Sequence, residues 1–312
     1  MNEHTVAIEI LPEELRKMQL LQLEILKEID RICRKYQIKY TLCGGSLLGA
    51  IRHGGFIPWD DDIDITMLRK DYEYFLNVCK TELDEKKFFL QTVDTDPEYR
   101  LIYGRILLNG TAFVRAGQEH MKSRNGIFVD IFPRDGQSDN VGVAYIQEIL
   151  AYLMRKMLYS PVGARNSHSY ISRVGFWGLS KFPKGCALKL LKLIQMLNFG
   201  KETEIVACWG IMSNRERKKL ELGKSAYKQY KKNRKRISGS QKEKQRELEK
   251  GLRRSFFTAV EDISFENMEV MITSHYDAWL TYNYDDYMKL PPKEKQVMHQ
   301  TVSYYSLGEY ND

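Results

Sequence analysis

The sequence predicts an α+β fold: a mixed sheet flanked by helices, carrying a helical and strongly basic insertion. Three observations predict it. Helical and strand periodicities alternate through residues 1–135. After Pro133 the texture changes to long amphipathic stretches. Residues 213–254 hold 17 Lys/Arg against 5 Asp/Glu, a local charge of +12 in a chain of 312 residues with net charge +7. The divisions that follow are a core over 1–135, a helical and basic insertion over 136–255, and a segment over 256–312 that returns to the core.

Each element has its reason. Residues 12–36 place Met18, Leu21, Ile25, Ile29 and Ile32 on one helical stripe, and Pro12, Glu13 and Glu14 suit a helix start. Lys39–Cys43 reads as a strand, Gly44-Gly45 as a tight turn, Ser46–Arg52 as a short helix, and Gly54-Gly55 as its stop. The run Asp62-Ile63-Asp64-Ile65-Thr66 alternates polar and apolar, which is strand periodicity. Residues 70–83 suit a helix, and 88–93, 100–107 and 126–132 suit strands. Further on, 141–160 suits a helix and 187–199 an amphipathic helix, and the basic stretch suits a long solvated helix or a partly mobile segment.

The chemistry concentrates in Phe56–Met67, FIPWDDDIDITM. Four acids within five positions, flanked by apolar residues, repel one another and call for a positive charge among them. A strand sends Asp62 and Asp64 to one face, with Ile63 and Ile65 packing beneath. Upstream, Gly45 and Ser46 open a helix, where backbone N–H groups and the helix dipole favour a phosphate. Two carboxylates beside such a turn suit Mg²⁺, with Mn²⁺ as a substitute, since hard cations take carboxylate and phosphate oxygens. Asp130, between Phe128-Val129 and Ile131-Phe132, supplies a third carboxylate. It would share the metal or accept a proton from an attacking hydroxyl. Arg52 and His53 could bind donor phosphates or simply end their helix. The alternatives are a plain glycine turn, a solvated acidic edge and an Asp130 paired with a base. A calcium loop of the helix–loop–helix type is excluded, because Ile65 stands where its glycine is needed and no Glu closes the loop.

The stretch GGSLLGAIRHGGFIPWDDDIDI, then GIFVDIFP, then YDDYMKLPP, resembles the LicD family, relatives of the fukutin proteins with a core similar to polymerase-β-like nucleotidyltransferases. The resemblance implies Mg²⁺-dependent transfer of a phospho-alcohol, such as phosphocholine, from a CDP-linked donor. The acceptor would be a sugar hydroxyl of a surface glycan or its lipid-linked precursor. It implies Asp62, Asp64 and Asp130 as metal ligands and Arg105, in YGRI, as a phosphate contact. Tyr284, Asp286, Tyr287, Pro291 and Pro292 match the C-terminal motif, and Asp285 stands where many relatives have glycine. The competing readings are a nucleotidyltransferase that attacks an NTP, and a catalytically dead basic adaptor for membrane or RNA.

Composition narrows the setting. The five cysteines (Cys33, Cys43, Cys79, Cys186 and Cys208) form no CxxC pair, which suits free thiols in a reducing cytosol. The start has no secretory pattern and no run is apolar enough for a bilayer. The expected location is cytoplasmic. Lys231–Arg236 and the helix at 187–199 would suit peripheral contact with an anionic membrane. Nucleic acid is disfavoured, because only Tyr227 and Tyr230 accompany the basic run.

Overall fold

The structure is a computed structural model that describes residues 7–167, 169–198, 201–212 and 252–311. The basic stretch therefore lies, from 213 to 251, outside the described residues, and with it Tyr227, Tyr230 and Lys231–Arg236.

The chain opens with α1 (Pro12–Lys35), whose stripe Ile25, Leu26, Ile29 and Ile32 is fully buried. Then come β1 (Thr41–Leu42), α2 (Gly44–His53), β2 (Ile63–Leu68), α3 (Arg69–Glu82), β3 (Phe88–Gln91), β4 (Gly104–Leu108), β5 (Ala112–Arg115) and β6 (Phe128–Gly136). The main sheet runs β1-β2-β6-β4-β3, with β2 and β6 parallel and the other pairs antiparallel. Strand alternation then divides the residues cleanly. Ile63, Ile65, Ile106, Val129 and Ile131 are fully buried in one core with α1 and with Phe75 of α3. The opposite face carries Asp64, Thr66, Arg105, Asp130 and Arg134 among the apolar Leu107, Phe128 and Phe132.

Register makes that opposite face specific. Asp64 of β2 lies beside Asp130 of β6, Asp130 beside Arg105 of β4, and Arg105 beside Gln91 of β3. One polar row thus crosses four strands. The expected strand ending near 132 runs on to Gly136 through Pro133. Pro133 is tolerated because β4 stops pairing at Ile131, so one edge of β6 is free there. The strand expected over 100–107 is shorter, the one at Lys39–Cys43 reduces to two residues, and α2 begins two residues early, at Gly44.

The second half wraps the first. Helices α4 (Val141–Asn166), α5 (Tyr170–Ser180) and α6 (Lys184–Met196) form a layer whose own small core includes Ala151, Met154, Ala187, Ile194 and Trp209. The expected amphipathic helix is α6, and it packs on α4 through Ala187 and Ile194 while Leu193 and Met196 stay exposed. Strand β7 (Ile205–Ala207) joins the far end of β6 and pairs with β8 (Leu252–Arg253). After α7 (Ser255–Thr258), the hairpin β9–β10 (Val260–Phe265, Met268–Thr273) buries Phe265, Val270 and Ile272 in the main core. Helix α8 (Tyr276–Tyr284) follows, and β11 (Val302–Ser306) pairs with β5. Among the described residues, no helix is long and apolar enough to cross a membrane, and all five cysteines are free.

Asp285, which ends α8, has φ 55° and ψ −110°. That backbone region suits glycine, so the residue carries strain of about 1–3 kcal/mol. Asp285→Gly is expected to raise stability by about 1 kcal/mol in urea unfolding; a variant less stable than the parent would show that the aspartate side chain is needed there.

Candidate functional site

The acidic face is assembled at the N-terminus of α2. Gly44 has φ +59°, and a Cβ added to it would lie 3.5 Å from Asp64 Oδ2. A Cβ on Gly45 would overlap the Asp60 carboxylate. Gly45 therefore lets backbone approach a carboxylate more closely than a side chain would permit, while Gly44 supplies the left-handed backbone of the turn. The Asp64 N–H donates to Ser46 Oγ at 2.9 Å, and the Cys43 N–H donates to the Asp64 carbonyl at 3.0 Å. These bonds lock the helix start to β2, so Gly45 and Ser46 stand beside the acids, as the sequence predicts.

Asp62 and Asp64 are deeply set yet partly open to solvent. Burial first, then the charges of Asp60, Asp61 and Asp130, push Asp62 up to about 7. Burial, then Asp62 and Asp130, push Asp64 well above the usual carboxylate range. Their neighbours explain the rest of the geometry. Asp130 forms a two-point ion pair with Arg105, through Nε to Oδ1 and through Nη2 to Oδ2 at 3.1 Å, and Arg105 lies 4.0 Å over the Phe128 ring. Asp62 Oδ2 accepts from Gln300 Nε2 at 2.9 Å, and Gln300 Oε1 accepts from Arg115 Nε.

Asp60 and Asp61 are the more buried members of the run, 3% and 1% exposed. Asp61 Oδ1 accepts the His299 N–H at 3.3 Å, while Asp61 Oδ2 is buried with no hydrogen-bond partner among the described residues. His299 Nδ1 lies 3.4 Å from Asp60 Oδ1, and that carboxylate holds the imidazole up to about 9. Among the described residues, Asp60, Asp61 and His299 are the group whose ligand atoms all lie within 4.8 Å of one another. Asp62, Asp64 and Asp130 share one face but are not so gathered, because Arg105 holds Asp130 and Gln300 holds Asp62.

Arg52 and His53 lie at the other end of α2 from Gly45 and Ser46, about 10 Å along a helix rising 1.5 Å per residue. Arg52 Nη1 donates to the Tyr287 carbonyl at 3.0 Å and, more distantly, to that of Lys289, so it clasps the C-terminal motif. Gly54, with φ 66°, ends the helix. Four residues outside the candidate set from the sequence also reach this face: His299, Gln300, Arg115 and Arg134. Only Arg134, four positions beyond Asp130 in β6, had a local signal. It donates to Thr66 Oγ1 at 2.8 Å and lies over the Phe257 and Trp279 rings.

Two clefts open on the row. One, of about 290 Å³, contains Gly44, Asp64, Arg134, Trp209, Trp279 and Tyr284. The other, of about 590 Å³, contains Gln91, Arg105 and Arg115, and shares Arg155, Ile211 and Met212 with the first. The donor set fits a hard divalent cation. It consists of carboxylates raised by burial and then by one another's charge, one buried carboxylate oxygen without a partner among the described residues, and backbone N–H groups beside them for phosphate oxygens.

Comparison with known proteins agrees with this chemistry. Residues 37–148 match the family model described as "LicD/FKTN/FKRP, nucleotidyltransferase domain". The chain is 30% identical over 294 residues to the lipopolysaccharide cholinephosphotransferase LicD of Haemophilus influenzae, covering 94% of this chain and 98% of that one. It is 56% identical over 34 residues to the human ribitol 5-phosphate transferase FKRP, a match covering 11% of this chain and 7% of that one. With sheet, acids and near full-length similarity in agreement, the chain belongs to the LicD family of phosphotransferases.

Proposed function

We propose that the chain transfers a phospho-alcohol, phosphocholine being the first candidate, from a CDP-linked donor to a sugar hydroxyl of a cell-surface glycan or its lipid-linked precursor. The observation that carries this reading is Asp64 bonded to Ser46 at the N-terminus of α2, with Asp62 two residues before it and Asp130 one strand away in register. On this reading the core over 1–135 is polymerase-β-like, 136–255 is an insertion, and 256–312 completes the core. The work takes place in the cytoplasm, with the basic insertion serving peripheral contact with an anionic membrane.

Asp62 and Asp64, with Asp130 or with the neighbouring Asp60 and Asp61, would hold Mg²⁺ or Mn²⁺, which supplies charge neutralisation at the donor diphosphate. The chain's own groups do the rest. The N–H groups of Gly45 and Ser46 bind phosphate oxygens. Arg134 sits in the same cleft as Asp64, with Trp209 and Trp279 as flat apolar surfaces for the donor's base. Arg105 fixes the orientation of Asp130, whose carboxylate takes the proton from the acceptor hydroxyl. The acceptor oxygen bonds to the distal phosphorus, the bond to the bridging oxygen breaks, and CMP leaves with that oxygen.

Thermal shifts with CDP-choline, CDP-glycerol, CDP-ribitol, CTP and ATP, each with and without Mg²⁺, test this reading. A ligand at a hundred times its Kd should stabilise by about 2.7 kcal/mol. A Mg²⁺-dependent shift with one CDP-alcohol, lost in Asp62→Asn, is expected. A response to CTP or ATP alone would replace it with an NTP-dependent nucleotidyltransferase.

A further inference from the structure

The larger cleft is unlike the smaller one in its charge. Six cations line it: Arg100, Arg105, Arg115, Arg124, Arg155 and Lys156. Among the described residues, no Asp or Glu lines it. Arg105 is occupied by Asp130, but Arg100, Arg115, Arg124 and Lys156 have no ion pair among the described residues. They come from separate parts of the chain. Arg100 precedes β4, Arg115 ends β5, Arg124 precedes β6, and Lys156 lies on α4. Several of them are held in place by something other than a carboxylate. Arg124 lies 4.1 Å over Phe89, Arg115 bonds Gln300, and Lys156 lies 5.3 Å over Tyr152. Like charges gathered around one cavity repel, and such an arrangement is relieved by an anion.

A second observation concerns buried polar atoms. Tyr99 and Gln91 line the same cleft and are 3% and 1% exposed. Tyr99 Oη and Gln91 Oε1 are both buried without a hydrogen-bond partner among the described residues. A phenol hydroxyl and an amide oxygen left so beside a cavity lack hydrogen bonds that the hydroxyl groups of a ligand can supply. Tyr152 and Tyr159 add flat apolar walls of the kind on which sugar rings rest.

The position of the cleft fixes its role. Asp64 faces the smaller cleft, and Arg105, two strands along the same row, faces the larger. Two strand spacings are about 10 Å, with Asp130 midway. A donor phosphorus at Asp64 and a nucleophile entering past Arg105 would meet at Asp130.

We propose that this six-cation cleft is the acceptor site, and that the acceptor is an anionic glycan, bearing phosphate or carboxylate close to the hydroxyl that is modified. The inference rests on the phosphotransferase reading for the word acceptor; the anionic-sugar site itself stands on the cleft alone.

The test is isothermal titration of the full chain with glucose, glucose 6-phosphate and glucuronate, alongside CDP-choline with Mg²⁺. At least one charged sugar is expected to bind at a single site at least tenfold more tightly than glucose, and the stronger of the two identifies phosphate or carboxylate as the recognised group. The paired variant Arg124→Gln/Lys156→Gln, and separately Arg100→Gln, should weaken that binding at least tenfold while changing the CDP-choline Kd less than twofold. Unchanged melting curves would show that both variants fold. Glucose binding as tightly as the charged sugars, or no charged sugar binding at all, overturns the proposal. So does an equal loss of CDP-choline affinity in the variants, which would make the cleft the donor's. Charged-sugar binding without CMP release from any CDP-alcohol would overturn the phosphotransferase reading and support the anionic site.

Discussion

Asp64→Asn is expected to lower metal-dependent turnover by about a thousandfold, or ~4 kcal/mol of transition-state stabilisation, while the protein folds normally. The expectation follows from the location of its cost. Asp64 is pushed up by burial and by Asp62 and Asp130, so without a divalent cation its charge works against the folded state. Removing it should therefore raise the melting temperature at pH 8 in EDTA, and adding Mg²⁺ should stabilise the parent chain far more than the variant. Asp62 gives the pH signature. Its value of about 7 in the folded chain lies above the ordinary carboxylate value near 4, so folding takes up a proton between those limits. The destabilisation is full above pH 7 and absent below about 4. Asp62→Asn should accordingly melt higher than the parent at pH 8 in EDTA, with the advantage fading by pH 5. An Asp64→Asn enzyme that keeps its turnover, or an Asp62→Asn advantage that does not change with pH, would remove the acid row from the active site.

Arg105→Leu is expected to be the most damaging single change to stability. Asp130 is 5% exposed at its side chain and Arg105 13%, and both carboxylate oxygens of Asp130 are bonded to that arginine. Stripping one partner from a buried pair costs about 3–5 kcal/mol, because the other charge is left unpaired in a poorly polarisable setting. For a chain of this size that is a fall in Tm of roughly 10 °C. The double variant Arg105→Leu/Asp130→Leu should recover most of the loss, since a matched apolar pair can replace a buried ion pair nearly without cost. It should still lack turnover. A double variant no more stable than Arg105→Leu alone would show that the pair is not what the single change disrupts.

The acid row shows how far sequence reasoning reaches in this chain. Asp62, Asp64 and Asp130 were legible because each sits in a short strand with alternating or flanking apolar residues, a signal carried within about ten positions. The helix stripe of α1 was legible for the same reason. Arg105 was suggested only through resemblance, as a phosphate contact. The structure pairs it with the Asp130 carboxylate, because the register of β4 on β6 sets the two side by side. Nothing local announces that register. His299 and Gln300 were invisible for a stronger reason: they reach Asp60, Asp61 and Asp62 across 238 or more positions, through the pairing of β11 with β5. Neither β5 nor β11 carries a periodicity long enough to announce a strand. Arg52 illustrates the opposite case, a conspicuous cation beside glycines whose bonds go to the carbonyls of Tyr287 and Lys289.

That closure by β11 sets the order of events during synthesis. The ribosome makes Asp62 and Asp130 early, but Gln300 and His299 come about 170 residues after Asp130, an interval of roughly 10–35 s at 5–20 residues per second. For that time the nascent chain carries its acid run without the side chains that later hold it, and β5 lacks the strand that covers its edge. Each molecule therefore passes through a stage in which the acid run and β5 have been made but Gln300, His299 and β11 have not. Premature release during that interval would yield a chain that has the family's most recognisable motifs and no complete site.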